Sequence, residues 1–268
     1  MKFLLAVVAA VAAVSLNCNR KTSAIEIATT TSVVNSGLLE AILPEFRQHA
    51  VRVHAAGSGR ALAMLAEQTV ALVISHAPLA EQQIIEQHPQ WHYRKLAYNQ
   101  FLIVGPADDP AAVRDAASVK DAFTRIAQSS AAFISRGDGS GTHERETQLW
   151  GLPGATPQRL LTSGASMAVT LMQADNQRAY TLTDDATWRQ LRGQLDGLVE
   201  IFTEDPGLLN TYAVVHRGDD LAAGELAAWL TTGRGRELIG SYVIGGRPVF
   251  HVWPPGCPGA VPAAQVCG

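Results

Sequence analysis

The sequence predicts an α/β fold wound around a parallel sheet. Three observations carry this. Apolar runs of strand length alternate with amphipathic runs of helix length from Ile25 to Tyr242. The 268 residues, 47% of them apolar, can fill one large core or two smaller ones. The turns from strand to helix are dense in glycine and hydroxyl residues.

Taken in order, Ile25–Thr29 has the length and character of a short buried strand. Leu38, Leu39, Ile42, Leu43 and Phe46 recur at helical spacing and predict a helix over 38–48. Val51–Ala55 alternates as a strand, Ala61–Gln68 reads as a helix, and Leu72–Ser75 is again strand-like. Gln100–Gly105 is strongly apolar and stops at the turn-rich Pro106-Ala-Asp-Asp-Pro110. A helix over 119–128, a strand over 131–135 and a helix over 143–150 follow. Beyond them come Ser166–Ala174, the strand-like Ala179–Leu182 and the helical Asp185–Leu195. Leu208–His216 reads as a strand and Leu221–Thr231 and Arg234–Tyr242 as helices, before a Pro-rich tail. The aromatic residues Trp91, Tyr93, Trp188 and Trp229 read as packing residues rather than a sugar-stacking platform.

Charge narrows the function. There are 21 Lys plus Arg against 24 Asp plus Glu, a net charge of −3. A duplex-DNA binder needs a basic stripe to replace counterions, so no nucleic-acid partner is expected. Charged residues make up 17% of the chain, against about 25% in an average soluble protein. A disordered acidic chain is excluded by the same composition.

The N-terminus reads as an export signal. Lys2 precedes an uncharged apolar run from Phe3 to Val14, shorter than the ~20 residues of a membrane span. Cys18 closes the run and suggests lipid attachment, although Ser15, Leu16 and Asn17 depart from the usual pattern; cleavage near Ala24 is the alternative. Either way residues 1–24 form a leader and the protein is expected in the periplasm or on the outer face of the membrane. In that oxidising setting Cys257 and Cys267 could form a disulfide, or remain two free thiols of the tail. No CxxC pair exists, which removes zinc-ribbon and thioredoxin-type chemistry.

Four strand-to-helix turns hold the candidate chemistry: Thr29-Thr-Thr-Ser32, Gly57-Ser-Gly59, Arg136-Gly-Asp-Gly-Ser-Gly-Thr142 and Ser163-Gly-Ala-Ser166. A helix start exposes unpaired N–H groups and partial positive charge, so it favours an anion. Hydroxyls add neutral donors and glycine permits close approach. Simple N-capping explains any one such turn. Four in one chain, one with an arginine, point to a convergent oxyanion site.

Ile27-Ala-Thr-Thr-Thr-Ser32 with its continuation to Phe46, Ser75-His-Ala-Pro78, Tyr98–Pro106, Phe133-Ile-Ser-Arg-Gly-Asp-Gly-Ser-Gly-Thr-His143 and Ala179–Asp184 together resemble the tungstate-binding solute receptors of ABC importers. That family lies in the phosphate/molybdate-like branch of periplasmic binding proteins. The resemblance implies a type II fold, two α/β lobes joined by two crossover strands with the ligand in the cleft. It divides the chain into one lobe from 25–100 plus 206–268 and another from 101–205. Carried across position by position, Thr30, Thr31, Ser32 and Ser58 would donate from the first lobe, and Arg136, Ser140, Gly141 and Thr142 from the second. Ser166 and Thr183, with the adjacent Asp184, rank second. The implied ligand is tungstate or molybdate, with phosphate or sulfate as alternatives. The implied partners are an ABC permease and its ATPase, with the receptor itself a monomer. The pattern departs at Gln68-Thr-Val-Ala71, where the family often has Gly-Asp-x-Asp.

The residues support a tetrahedral dianion independently of the resemblance. Every oxygen of a buried dianion must meet preorganised donors. Protonated phosphate also rewards a carboxylate acceptor, whereas tungstate, molybdate and sulfate are repelled by one. The first-lobe turns contain no Asp or Glu, while Asp138 blurs the choice unless it orients Arg136.

Other classes fit less well. A serine hydrolase would use Ser140 or Ser58 with His143 or His76, yet neither serine lies in G-x-S-x-G. No G-x-x-x-x-G-K-[ST] exists for an NTPase. His88 and His92 are separated by Pro89, so they make no helical metal pair. No resident cofactor and no metal cation are expected, and the protein is not expected to be an enzyme.

Overall fold

The computed structural model describes residues 24–151 and 156–257. The leader expected over 1–24, Cys18 and Cys267 therefore lie outside the described residues, apart from Ala24. Cys257 is disulfide-bonded, and its partner is not among the described residues.

The first stretch runs β1 (Ile25–Thr29), α1 (Thr31–Asn35), α2 (Leu38–Ile42), β2 (Val51–Ala55), α3 (Ser58–Ala66), β3 (Leu72–Ser75) and α4 (Pro78–Gln87). The single helix expected over 38–48 is broken up. Gly37 takes φ +75° between α1 and α2, and Pro44 ends the regular helix in a single 3-10 turn over Leu43–Glu45. A side chain at Gly37 would also press on Tyr242 Oη, 2.9 Å from an ideal Cβ.

Next comes β4 (His92–Gly105), 14 residues long, of which the sequence suggested only the last six. Its two halves have different neighbours. His92–Gln100 pairs with β9 (Leu209–His216), whereas Phe101–Gly105 pairs with β7 (Thr181–Asp184) and β8 (Val199–Phe202). One strand thus starts in one lobe and ends in the other. The second lobe also contains α5 (Val119–Gln128), β5 (Ala132–Ser135), α6 (Gly141–Trp150), β6 (Arg159–Thr162), α7 (Met167–Gln177) and α8 (Asp185–Leu191). The chain returns between Phe202 and Leu209. It finishes the first lobe with α9 (Leu221–Thr231), α10 (Arg234–Ser241), the small hairpin β10 (Val243–Ile244) and β11 (Arg247–Pro248), and β12 (His251–Val252).

The sheet is mixed, not uniformly parallel as the strand–helix alternation suggested. β1 pairs in parallel with β2 and β3, and β5 with β6. The crossover strands run against their neighbours: β9 is antiparallel to β3 and β4, and β7 and β8 are antiparallel to β4. Crossing between lobes twice reverses the chain, and this reversal produces the antiparallel pairs.

Each lobe has its own core. Ile27, Leu39, Leu72, Tyr212, Leu226 and Phe250 fill one side of the first-lobe sheet; Leu62, Leu65, Val73 and Trp91 fill the other. Phe123, Phe133, Trp150 and Tyr180 anchor the second lobe, with Ile134, Leu171 and Trp188 on the opposite side. Trp91, Trp188 and Trp229 are buried, in line with the packing role expected of them; Tyr93 is half-buried. No helix among the described residues is long and apolar enough to cross a membrane.

Candidate functional site

The strand ends of the first-lobe sheet and the start of α6 face each other across the cleft. An ideal Cβ on Gly57 would lie 3.7 Å from Ser140 Cα, and one on Gly59 would lie 3.6 Å from the Gly139 carbonyl. Gly141 sits hardest against the first lobe: its Cβ would fall 2.3 Å from the His76 carbonyl and 2.8 Å from the His76 ring. Thr30–Ser32 lies at the start of α1, which packs on α8, whose cap is Asp184. Thr30, Ser32, Ser58, Arg136, Ser140 and Thr142 are all at most 3% exposed, and only Thr31 of the eight first-rank residues is half-buried.

The local geometry follows from capping. Thr30 caps α1, Ser140 caps α6 and Ser166 caps α7, each accepting an N–H three residues on. α3 has Gly57 at its cap with no side-chain bond, and Ser58 is its first residue. Capping and ligand donation do not compete here, because a cap uses an oxygen lone pair and leaves the hydroxyl proton free. Thr30 Oγ1 accepts from Val33 N and lies 3.0 Å from Ser32 Oγ; whichever donates in that pair, one proton remains. Ser58 Oγ accepts from His76 N at 3.2 Å, and Ser140 Oγ from His143 N at 3.3 Å. Thr142 Oγ1 is buried without a partner. Thr183 Oγ1 reaches only the next carbonyl, at a marginal 3.5 Å.

Arg136 is fixed before any ligand is considered. Its Nε donates to the Ala165 carbonyl at 2.8 Å, and one Nη2 hydrogen goes to Asp138. Its backbone N–H donates to Glu146 at 3.3 Å. Of five guanidinium N–H bonds, three are left without an acceptor among the described residues. The Ser163–Ser166 turn thus acts on the site through Ala165, while Ser163 pairs with Thr170 at 2.6 Å.

The carboxylates of the site are committed elsewhere. Asp138 accepts from Ser140 N at 3.1 Å with one oxygen and from Arg136 with the other. Asp184 accepts from Thr187 N at 2.9 Å and from Thr187 Oγ1 at 2.7 Å. Burial pushes the Asp184 carboxyl up, with the Thr187 bonds and the Arg136 charge opposing. Glu146 is also raised by burial, and it holds Arg136 N and Trp150 Nε1. Each oxygen of Asp138 and Asp184 already accepts one hydrogen bond from a donor of its own lobe.

Sequence reading gave His76 only the role of a hydrolase base, and it left Asn99 and the Thr29 hydroxyl out of the ligand set. Burial lowers the His76 pKa to about 4, so its ring is neutral. Asn210 spends its Nδ2 hydrogens on Asn99 and Tyr212, so its Oδ1 accepts from His76 Nδ1 at 2.9 Å. The neutral ring stacks on Tyr212 and holds the β3–α4 turn against the crossover strands. Thr29 Oγ1 and Asn99 Nδ2 are buried without partners. Asn99 lies in the Tyr98–Pro106 stretch that carries the resemblance, but its role shows only in its position opposite Asn210 on the paired crossover strands.

Hydrolase geometry is absent. Ser58 and Ser140 accept backbone N–H groups, and among the described residues neither bonds a histidine ring; His143 Nδ1 accepts from Gly139 N at 3.0 Å instead. The departure at Gln68–Ala71 lies at the start of β3, opposite the end that carries His76. Gln68 takes φ +59° there, the conformation that the family's glycine would suit.

Residues 19–233 match the model of the PBP superfamily domain. The chain belongs to the PBP superfamily. The tungstate-binding protein TupA of Peptoclostridium acidaminophilum is 33% identical over 81% of this chain and 80% of its own length. A solved tungstate ABC transporter structure from Geobacter sulfurreducens is 32% identical, with a TM-score of 0.73 over 82% of this chain and 99% of that one. The tungstate-binding protein TupA from Desulfovibrio alaskensis G20 is 30% identical, with a TM-score of 0.72 over 85% of this chain and 98% of that one. At this identity and coverage the chain shares their family. The PBP-superfamily chain is therefore a solute-binding protein with the type II two-lobe fold and not an enzyme, as its sequence led us to expect.

Proposed function

We propose that the protein captures a fully deprotonated tetrahedral oxyanion, tungstate ahead of molybdate, outside the cytoplasm and presents it to an ABC permease and its ATPase. The observation that carries this reading is the donor inventory. Hydroxyl protons on Thr30 or Ser32, on Ser58, Ser140 and Thr142, and three Arg136 N–H bonds lack acceptors among the described residues. A buried donor without an acceptor costs roughly 1–3 kcal/mol, so such a set calls for one multivalent acceptor. The ordering of the anions rests on two points. The first-lobe turns Thr29–Ser32 and Gly57–Gly59 carry no carboxylate to accept a proton from phosphate, and the relatives above bind tungstate.

Delivery would follow from closure. The first-lobe hydroxyls hold the anion, and the second lobe brings Arg136 and the start of α6 onto it. No carrier cofactor enters this scheme, and one chain supplies the whole site, so a monomer suffices. Thermal shift against tungstate, molybdate, sulfate and phosphate tests the reading. Stabilisation by tungstate and molybdate well above that by sulfate and phosphate is expected. A response to phosphate alone would move the protein to another ligand class.

A further inference from the structure

Helix α4 begins without a cap of its own. Its N-cap residue is Ala77, which has no side-chain acceptor, and Pro78 occupies the first helical position. The N–H groups a cap would satisfy belong to the second and third helical residues, Leu79 and Ala80. Both are satisfied from the other lobe. Glu144, on α6, accepts from Leu79 N at 3.0 Å with Oε1 and from Ala80 N at 3.2 Å with Oε2. The helices are rooted in different cores: Leu149 and Trp150 of α6 pack in the second lobe, and Ala80, Ile84 and Ile85 of α4 in the first.

We propose that Glu144 is a closure latch, a positioning residue that caps α4 only when the lobes meet and so sets how long an anion is held without touching it. The inference rests on the reading of the protein as a receptor that closes on its ligand. Two further features support it. A carboxylate at a helix start gains from the dipole as well as from two charge-assisted bonds, which are about twice as strong as neutral ones. Beside the clasp the lobes also leave a cavity of about 240 Å³, lined by His76, Pro78, Leu79, Gly141, Glu144 and Arg145, so the two bonds span a gap in the interlobe packing. Opening the cleft would leave Leu79 N and Ala80 N to water, while Glu144 would keep the bond that Gln148 Nε2 of its own helix donates to Oε1 at 3.3 Å.

The test compares wild type with Glu144→Ala and Glu144→Gln in the full chain. Lobe separation is followed without anion by a pair of fluorophores at the exposed Leu221 and Lys120, and sodium tungstate dissociation is followed by stopped flow. In Glu144→Ala the closed population should fall at least fivefold and koff should rise at least fivefold, with kon within twofold of wild type. Glu144→Gln should be intermediate, because its amide oxygen can accept only part of what the carboxylate does. Either readout within twofold of wild type in Glu144→Ala overturns the latch. If wild type fails to bind tungstate, the oxyanion reading falls, and lobe separation alone then decides the latch.

Discussion

Arg136 is a cation whose freedom has been removed in advance. Ala165 O and Asp138 hold two of its N–H bonds, so the other three are oriented before an anion arrives. Arg136→Ala should therefore weaken tungstate binding at least tenfold in calorimetry with the thermal unfolding curve still cooperative. Arg136→Lys should recover little, because an ammonium cannot reproduce the fork. Asp138→Asn should cost less than Arg136→Ala, since Asp138 acts through Arg136 and Ser140 N; a larger loss would mean that the ligand carries a proton for Asp138 to accept. At this scale much of the site was legible, because hydroxyl- and glycine-dense turns are a local signal. Asn99 and His76 were not, since their meaning comes from Asn210 and Tyr212, more than a hundred residues away in the chain.

Helix starts serve two purposes in this molecule. Ser140 spends a lone pair on His143 N to begin α6 and keeps its proton for the cleft. Ser140→Asp separates the two functions. Aspartate caps as well as serine, so the chain should still unfold cooperatively, destabilised only by the buried charge beside Asp138, while tungstate affinity should collapse because a carboxylate replaces a donor. Denaturant unfolding and calorimetry on the same sample read both outcomes. Gly141 adds a steric condition on α6. In Gly141→Ala the new Cβ would meet the His76 carbonyl, so the lobes should stay further apart and tungstate should bind at least tenfold more weakly. Small-angle scattering of this variant with tungstate should show no compaction. Element boundaries were the least legible part of the sequence. β4 was recognised only where its second-lobe half becomes continuously apolar, because its first half mixes exposed and buried residues. α4 went unrecognised for a related reason: its N-cap residue is Ala77, and its cap comes from Glu144 in the other lobe.

At the scale of the whole molecule, burial where the lobes meet holds the His76 ring neutral. His76 is held near a pKa of about 4 by burial, against about 6.5 when unfolded. A depressed histidine contributes stability that is complete above pH 6.5 and is lost as pH falls toward 4, because only the unfolded chain then takes up the proton. The shift corresponds to roughly 3 kcal/mol. Asp184 and Glu146 are raised by burial and act in the opposite sense, so the His76 share must be read as a difference. The loss of unfolding free energy between pH 7 and pH 4 should be shallower in His76→Gln than in wild type. Equal slopes in the two proteins would remove His76 from the account. The alternation of strands and helices announced the α/β class, but not the antiparallel crossover strands. Strand direction depends on which lobe the chain enters next, and no local pattern records that.

At this scale, too, a net charge of −3 is compatible with holding a dianion, because the donors are mostly neutral and Arg136 supplies the formal cation. The most direct measurement is calorimetric titration of sodium tungstate into the full chain at neutral pH. The account predicts saturable binding of one anion per chain, competed by molybdate and abolished or at least tenfold weakened in Arg136→Ala. No heat with tungstate, or binding that Arg136→Ala leaves unchanged, would contradict it.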